Sequence, residues 1–143
     1  MIPAEISSFF CPSRILMGVG AHARIVDIVR EQACNRLFAA VDAALVDTPF
    51  YKGIAEMLAQ AGVEVAIYTD IEPDPSANTV ARAYAVCRDH GASVILAIGG
   101  GSTMDVAKAV GILATNGGRI HDYEGIEKFS IPPLTLIAIP TTA

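Results

Sequence analysis

The stretch Ser93-Val94-Ile95-Leu96-Ala97-Ile98-Gly99-Gly100-Gly101-Ser102 decides the fold of this chain. Its first part is a continuous apolar run, which is typical of a strand buried on both faces of a parallel sheet. Three successive glycines follow, and an amphipathic pattern from Thr103 to about Thr115 predicts a helix directly after them. The stretch therefore predicts a strand, a tight turn and a helix, the first half of a βαβ crossover.

Outward from this stretch, apolar runs alternate with helical patterns along the whole chain. Glycines close two of the predicted helices, and Ser76 is placed to cap another at its start. Strands separated by helices of this length predict a doubly wound α/β domain whose mostly parallel sheet is flanked by helices. The other predicted strands are Ser13 to Met17 (with Ser7 to Cys11 as a hairpin partner), Leu37 to Val41, Val63 to Tyr68 and Leu134 to Ile139. The other predicted helices run from after Gly20 to about Gln32, from Phe50 to Ala61, and from Ser76 to about His90.

Composition excludes several classes of protein. Hydrophobic residues make up 52% of the 143 residues, yet the longest charge-free stretches are too short and too broken to cross a membrane. The net charge of −5 and the lack of a basic run argue against nucleic acid or an anionic membrane as partner. The start of the chain lacks a secretory pattern, and three scattered cysteines fit a reducing compartment, so we expect a cytoplasmic protein.

Two glycine loops are candidates for binding phosphate. The first, Gly18-x-Gly20-x-x-Ala23, formally matches a dinucleotide fingerprint, and Asp42 follows at about the spacing of the acid that holds a ribose hydroxyl. A strand that ends in two glycines before a helix is also common turn chemistry. Asp42 could equally be a solvated turn residue, so this loop by itself leaves both interpretations open.

The second candidate is the loop Gly99-Gly100-Gly101-Ser102. Glycines allow the backbone to approach a pyrophosphate closely, and the amides and dipole of the following helix then face the anion. Ser102 could donate its hydroxyl or cap that helix, with Asp105 three residues later in a spacing like that of a capping box. A capped turn uses the same residues, but three glycines exceed what a cap needs. The loop is not a P-loop, because no Gly-Lys-Ser/Thr follows.

Four segments carry a pattern when they are read together: Ala97 to Ala109, Glu72-Pro73-Asp74-Pro75-Ser76, Asp122-Tyr123-Glu124-Gly125, and Ile137 to Ala143. Together they resemble the nucleotide-binding half of the iron-containing (group III) alcohol dehydrogenases. The second segment departs from that family at Asp74, where Asn is usual. The resemblance covers nearly the whole chain and implies a Rossmann-like dinucleotide-binding domain over residues 1–143.

The resemblance also implies which residues hold the cofactor. The pyrophosphate would lie on Gly99, Gly100, Gly101 and Ser102, which leaves Gly18-Val19-Gly20 as a structural turn. Asp42 would lie near the adenine ribose, where its carboxylate would repel a 2′-phosphate and so favour NAD over NADP. Asp105 would contact the nicotinamide side. Asp74 would lie near the adenine or ribose, where the family usually has Asn. Thr141 and Thr142 would line the phosphate or ribose.

The family's second cofactor is a divalent metal, iron or zinc, held by one Asp and three His of a helical C-terminal domain. We expect no metal site in this chain, because His22, His90 and His121 stand singly and form no ligand spacing. The chain stops directly after a predicted strand, so we expect a domain cut at its C-terminus and lacking the helical domain. The whole protein would then be a homo-oligomeric dehydrogenase of a primary alcohol or aldehyde, and this chain alone would be inactive.

Two other functions remain as alternatives. One is a relative such as a glycerol dehydrogenase or a dehydroquinate-synthase-like lyase, which Ser102 disfavours because glycerol dehydrogenases tend to carry Lys after the glycines. The other is a nucleotide-binding module without a catalytic role.

Overall fold

A computed structural model describes residues 11–125 and 128–141. Its centre is a sheet of four strands, β1 (Arg36–Val41), β2 (Glu64–Tyr68), β3 (Val94–Gly99) and β4 (Thr135–Pro140). Every pairing is parallel, and the strand order is β2-β1-β3-β4. The sheet confirms the predicted α/β class, because parallel strands require crossover connections of the βαβ type.

Helices cover both faces of this sheet. Alternate residues of β1 and β3 point to opposite faces, and each set enters a separate hydrophobic core. The helices are α1 (Ile25–Glu31), α2 (Pro49–Gln60), α3 (Ala77–His90) and α4 (Gly101–Asn116), with short 3₁₀ turns at Ala21–Arg24, Ala43–Leu45 and Ile120–Tyr123. Phe38 of β1, for example, lies in the core under α3 and α4, whereas its neighbour Leu37 lies in the core under α1 and α2.

The central strand β3 is buried at all six of its positions, as its uninterrupted apolar sequence predicts. The ends of α3 follow the predicted chemistry as well. Ser76 is its N-cap and accepts from the Thr79 amide, and Gly91 closes it with a left-handed φ of 70°. None of the helices in 11–125 and 128–141 is long and apolar enough to cross a membrane.

One predicted element is wrong. Residues 13–17 form no strand, and they run exposed along the surface, with Met17 90% exposed. A strand needs a ladder partner, and none of the described residues pairs with 13–17. The hairpin partner that we predicted, 7–11, lies outside the described residues except for Cys11, which is exposed coil.

Candidate cofactor site

The carboxyl ends of β1 and β3 lie side by side at the point where the direction of the chain through the sheet reverses. From β1 the chain goes by α2 to β2 at one edge, and later by α3 to β3 on the other side of β1. The backbone keeps the two ends together, since the Asp42 amide donates to the Ile98 carbonyl at 2.9 Å. Open α/β sheets bind their ligands in the crevice at such a switch point. The glycine loop follows β3 into this crevice.

Gly99 makes the first turn of the loop, where any side chain would crowd its neighbours. Its φ is +156°, and a Cβ on it would come within 2.5 Å of Thr103 Oγ1 and 3.2 Å of Asp42 Cβ. The glycine thus lets α4 start close above the end of β3, with Asp42 packed alongside. In contrast, a Cβ on Gly101 would meet nothing within 4 Å. The loop is tight on the protein side and open on the outer side.

Helix α4 begins without a side-chain cap. Its N-cap is Gly100, whereas α2 and α3 are capped by the hydroxyls of Thr48 and Ser76. Of the two roles that the sequence left open for Ser102, capping does not occur, because the helix starts before it. Asp105 is exposed on the second turn and makes no capping contact. The amides of the first turn keep their donors for an acceptor from outside the helix, as at anion-binding helix starts.

Asp42 lies at the end of β1, exposed at the rim of the crevice. Its Oδ1 accepts from the Ala44 amide at 3.0 Å, which caps the short 3₁₀ turn that follows. This single bond leaves Oδ2 without a protein partner among the hydrogen bonds of the described residues. Asp42 is therefore both a turn cap and a free carboxylate, so the two interpretations left open by the sequence are compatible.

Asp74 extends from the carboxyl end of β2, the edge strand on the far side of β1. It is exposed and adopts a left-handed φ of 51° between two prolines. Sequence reasoning gave no role to Glu72, two residues earlier, whose carboxylate bonds the Ser76 amide and the Thr79 hydroxyl. Its position four residues before the helix cap is the signal that could have revealed this contact.

Thr141 lies beside the glycine loop on the other flank. Its amide donates to the Gly99 carbonyl at 3.0 Å, one step beyond the pairing of Gly99 with Pro140. Thr142 lies outside the described residues. All four strands thus send residues to one edge of the sheet: those predicted to hold the cofactor follow β1 (Asp42), β2 (Asp74), β3 (Gly99, Gly100, Gly101, Ser102, Asp105) and β4 (Thr141).

A separate groove of about 620 Å³ runs between α1, the segment 12–16 and the outer side of β4. It reaches the predicted site only at Pro140, and the glycine loop does not line it. The loop instead lies open on its outer side, where a Cβ on Gly101 would meet nothing within 4 Å. The other glycine motif, Gly18-Val19-Gly20, forms a surface turn that leads into a 3₁₀ turn and follows no strand of the sheet.

The residues present do not fit a metal site. No three His, Cys, Asp or Glu side chains within 11–125 and 128–141 come together as ligands could. The three histidines are separate: His22 packs edge-on to Phe50, His90 Nε2 lies 3.0 Å from the Glu64 carbonyl oxygen, and His121 faces Glu124 at 3.4 Å.

Known proteins share this sequence and architecture. Residues 12–143 match the family of iron-containing alcohol dehydrogenases. NAD-dependent methanol dehydrogenase of Bacillus methanolicus is 33% identical over 96% of this chain and 36% of its own length. Alcohol dehydrogenase 4 of Schizosaccharomyces pombe is also 33% identical, over 96% of this chain and 33% of its own. The chain thus spans about a third of the length of the curated relatives it matches.

Solved structures agree. NADH-dependent butanol dehydrogenase A of Thermotoga maritima superposes with a TM-score of 0.84 at 25% identity, over 96% of this chain and 35% of that one. Sulfoacetaldehyde reductase of Bifidobacterium kashiwanohense, solved in complex with NAD+, gives 0.82 at 29% identity, over 97% and 37%. Both the sequence and the parallel sheet with its glycine loop at the switch point lead to one conclusion: this chain belongs to the iron-containing alcohol dehydrogenases.

Proposed function

We propose that this chain binds NAD and forms the dinucleotide-binding domain of an alcohol dehydrogenase that acts on a primary alcohol or its aldehyde. The observation that carries the proposal is the glycine loop at the switch point. The loop leaves uncapped helix amides facing an open crevice, and a Cβ on Gly101 would project into free space. Relatives described as NAD-dependent or solved with NAD+ support this assignment.

The residues of the loop would hold the pyrophosphate. The first-turn amides of α4 donate to the phosphate oxygens, the helix dipole favours their charge, and Ser102 adds a hydroxyl from the same turn. Gly99 performs a different task, because its missing Cβ lets Thr103 and Asp42 pack directly against the loop. The loop is thus rigid before any ligand arrives, which lowers the entropic cost of binding.

Asp42 would select NAD over NADP. Its carboxylate lies one strand from the glycine loop, and Oδ2 is available to accept from a ribose 2′-hydroxyl. A 2′-phosphate at the same place would put two negative charges together, which costs binding energy in a partly desolvated crevice.

When bound, NAD supplies the hydride acceptor for the alcohol, or NADH the donor for the aldehyde. This chain holds the dinucleotide and orients it along the sheet edge. In the whole protein, the groups that present the substrate, including a divalent iron or zinc ion, would come from outside these residues. We propose no metal-dependent step on this chain.

Titration calorimetry with NAD and NADP tests the assignment. We expect the chain to bind NAD more tightly than NADP. In Asp42→Asn, the amide oxygen still caps Ala44 but the charge is gone, so the preference for NAD should fall by roughly tenfold, mainly through tighter NADP binding. Equal affinity of the unmodified chain for both nucleotides would contradict the role of Asp42, and binding of neither would contradict the proposed function itself.

A further inference from the structure

Glu72 makes an unusual set of contacts in the connection between β2 and α3. Its Oε1 accepts from the Ser76 amide at 2.8 Å and from the Thr79 hydroxyl at 2.7 Å, and its Oε2 lies 2.6 Å from the same hydroxyl. The carboxylate thereby closes a loop over 73–75 and fastens it to the first turn of the helix. We call Glu72, Ser76 and Thr79 the carboxylate clasp.

Only the Thr79 end of the clasp is buried, because Glu72 is partly exposed and Ser76 is exposed. Thr79 is only 1% exposed, and its amide is already held by Ser76 Oγ at 3.2 Å. The negative charge lies at the positive end of a 14-residue helix, which stabilises the ionised form. The Thr79 hydroxyl and the Ser76 amide lower the pKa of Glu72 to about 2, so the clasp stays charged throughout the physiological range.

Arg82 links the clasp to the end of β2. Its guanidinium donates to Asp70 at 3.3 Å, to Tyr68 Oη at 3.4 Å and to Thr79 Oγ1 at 3.4 Å. Arg82 therefore connects the residues that follow β2 to the buried end of the clasp at Thr79.

Asp74 lies exposed in the middle of the turn that the clasp closes. It occupies a left-handed conformation that costs a non-glycine residue about 1 kcal/mol, and it stays exposed between two prolines. Aspartate is among the non-glycine residues that adopt this conformation most readily. The clasp fixes the turn that contains Asp74, and it places the turn at the edge where the proposed adenosine end of the cofactor lies.

We propose that Glu72 is a positioning residue for cofactor binding, which holds the 73–75 turn as a preformed wall for the adenosine half of the dinucleotide. This inference rests on the proposed function. Glu72 itself does not touch the ligand; it acts through the turn. The glycine loop lies two strands away, at the end of β3, so its hold on the pyrophosphate is independent of the clasp.

The test compares three ligands by calorimetry: NAD, ADP-ribose and inorganic pyrophosphate. Two variants open the clasp from opposite sides, Glu72→Ala and the isosteric Thr79→Val, while Thr79→Ser keeps the hydroxyl as the matched control. We expect each opening variant to weaken NAD and ADP-ribose by roughly tenfold and to leave pyrophosphate within about twofold. Thr79→Ser should bind all three as the unmodified chain does, and the double opening variant should be no weaker than either single one.

The outcomes distinguish a failure of the proposal for Glu72 from a failure of the proposed function. If the opening variants lose pyrophosphate in parallel with NAD, Glu72 only supports the fold, and the proposal fails. It also fails if they bind NAD normally. If the unmodified chain binds none of the three ligands, the proposed function fails first and the clasp has no ligand to position.

Discussion

At the residue scale, the glycine loop divides into positions required by folding and a position left free for a ligand. Gly99 is required because of its φ and the nearness of Thr103, whereas Gly101 has open space around it. The three glycines predict a phosphate loop, but the sequence does not reveal which glycine is required for packing and which has open space around it. That division depends on where Asp42 and Thr103 pack, and those contacts come from different strands and turns.

Gly99→Ala should destabilise the chain by about 1–3 kcal/mol, because the added methyl meets Thr103 and the conformation is strained for any L side chain. Gly53→Ala is the matched control, since Gly53 lies inside α2 and a Cβ there meets nothing within 4 Å. The control should be stabilised by up to about 1 kcal/mol. Urea unfolding of both variants measures the difference, and equal midpoints would show that the loop is not packed as described.

Acid should weaken the carboxylate clasp. The pKa of Glu72 lies at about 2 in the folded chain, below its ordinary value of 4.5, because of the bonds from Thr79 and Ser76. A lowered pKa contributes stability that is complete above about pH 5 and is lost as the pH falls from there towards 2. The stability advantage of the unmodified chain over Glu72→Gln should therefore shrink between pH 6 and about pH 3 in urea unfolding. An advantage that is the same at both pH values would mean that Glu72 titrates normally.

At the element scale, the sequence predicts each paired strand and each long helix, because the strands are apolar runs and the helices carry a helical period. A glycine follows each of the three long helices. The one failure, residues 13–17, has a strand-like composition but depends on a partner that local sequence does not reveal. The start of α4 shows the same limit. Ser102 was a possible cap, yet the helix begins one residue before it, with Gly100 as its N-cap.

Helix α4 packs closely on the chain that leads into β4, and Gly111 lies at that contact. The Leu134 amide donates to its carbonyl at 3.2 Å, while an added Cβ would meet Ile95 Cδ1 at 3.4 Å and Pro133 Cβ at 3.5 Å, which are ordinary contacts. Gly111→Ala should therefore preserve stability or raise it by up to about 1 kcal/mol through helix propensity. Gly111→Val should lose about 1–3 kcal/mol by overpacking. Thermal unfolding distinguishes them, and a destabilised Ala variant would show that the contact is tighter.

At the scale of the whole molecule, the crevice is assembled from the carboxyl ends of all four strands. The sequence indicated its members one motif at a time, through the glycine loop and the resemblance that accompanied it. What it could not supply is their order across the sheet, with Asp74 at one edge, Thr141 at the other and the glycine loop between them. That order follows from which strands pair, a long-range property. We propose that one extended dinucleotide spans the site in this order.

The central claim is that the pyrophosphate of a nicotinamide dinucleotide lies on the glycine loop. Calorimetric titration of NAD into the unmodified chain and into Gly101→Val tests it most directly, because the valine enters free space and should leave the unfolding temperature unchanged. We predict NAD binding by the unmodified chain and at least a roughly tenfold loss in the variant, from steric exclusion of the phosphate. A folded Gly101→Val variant that binds NAD as tightly as the unmodified chain would contradict the claim.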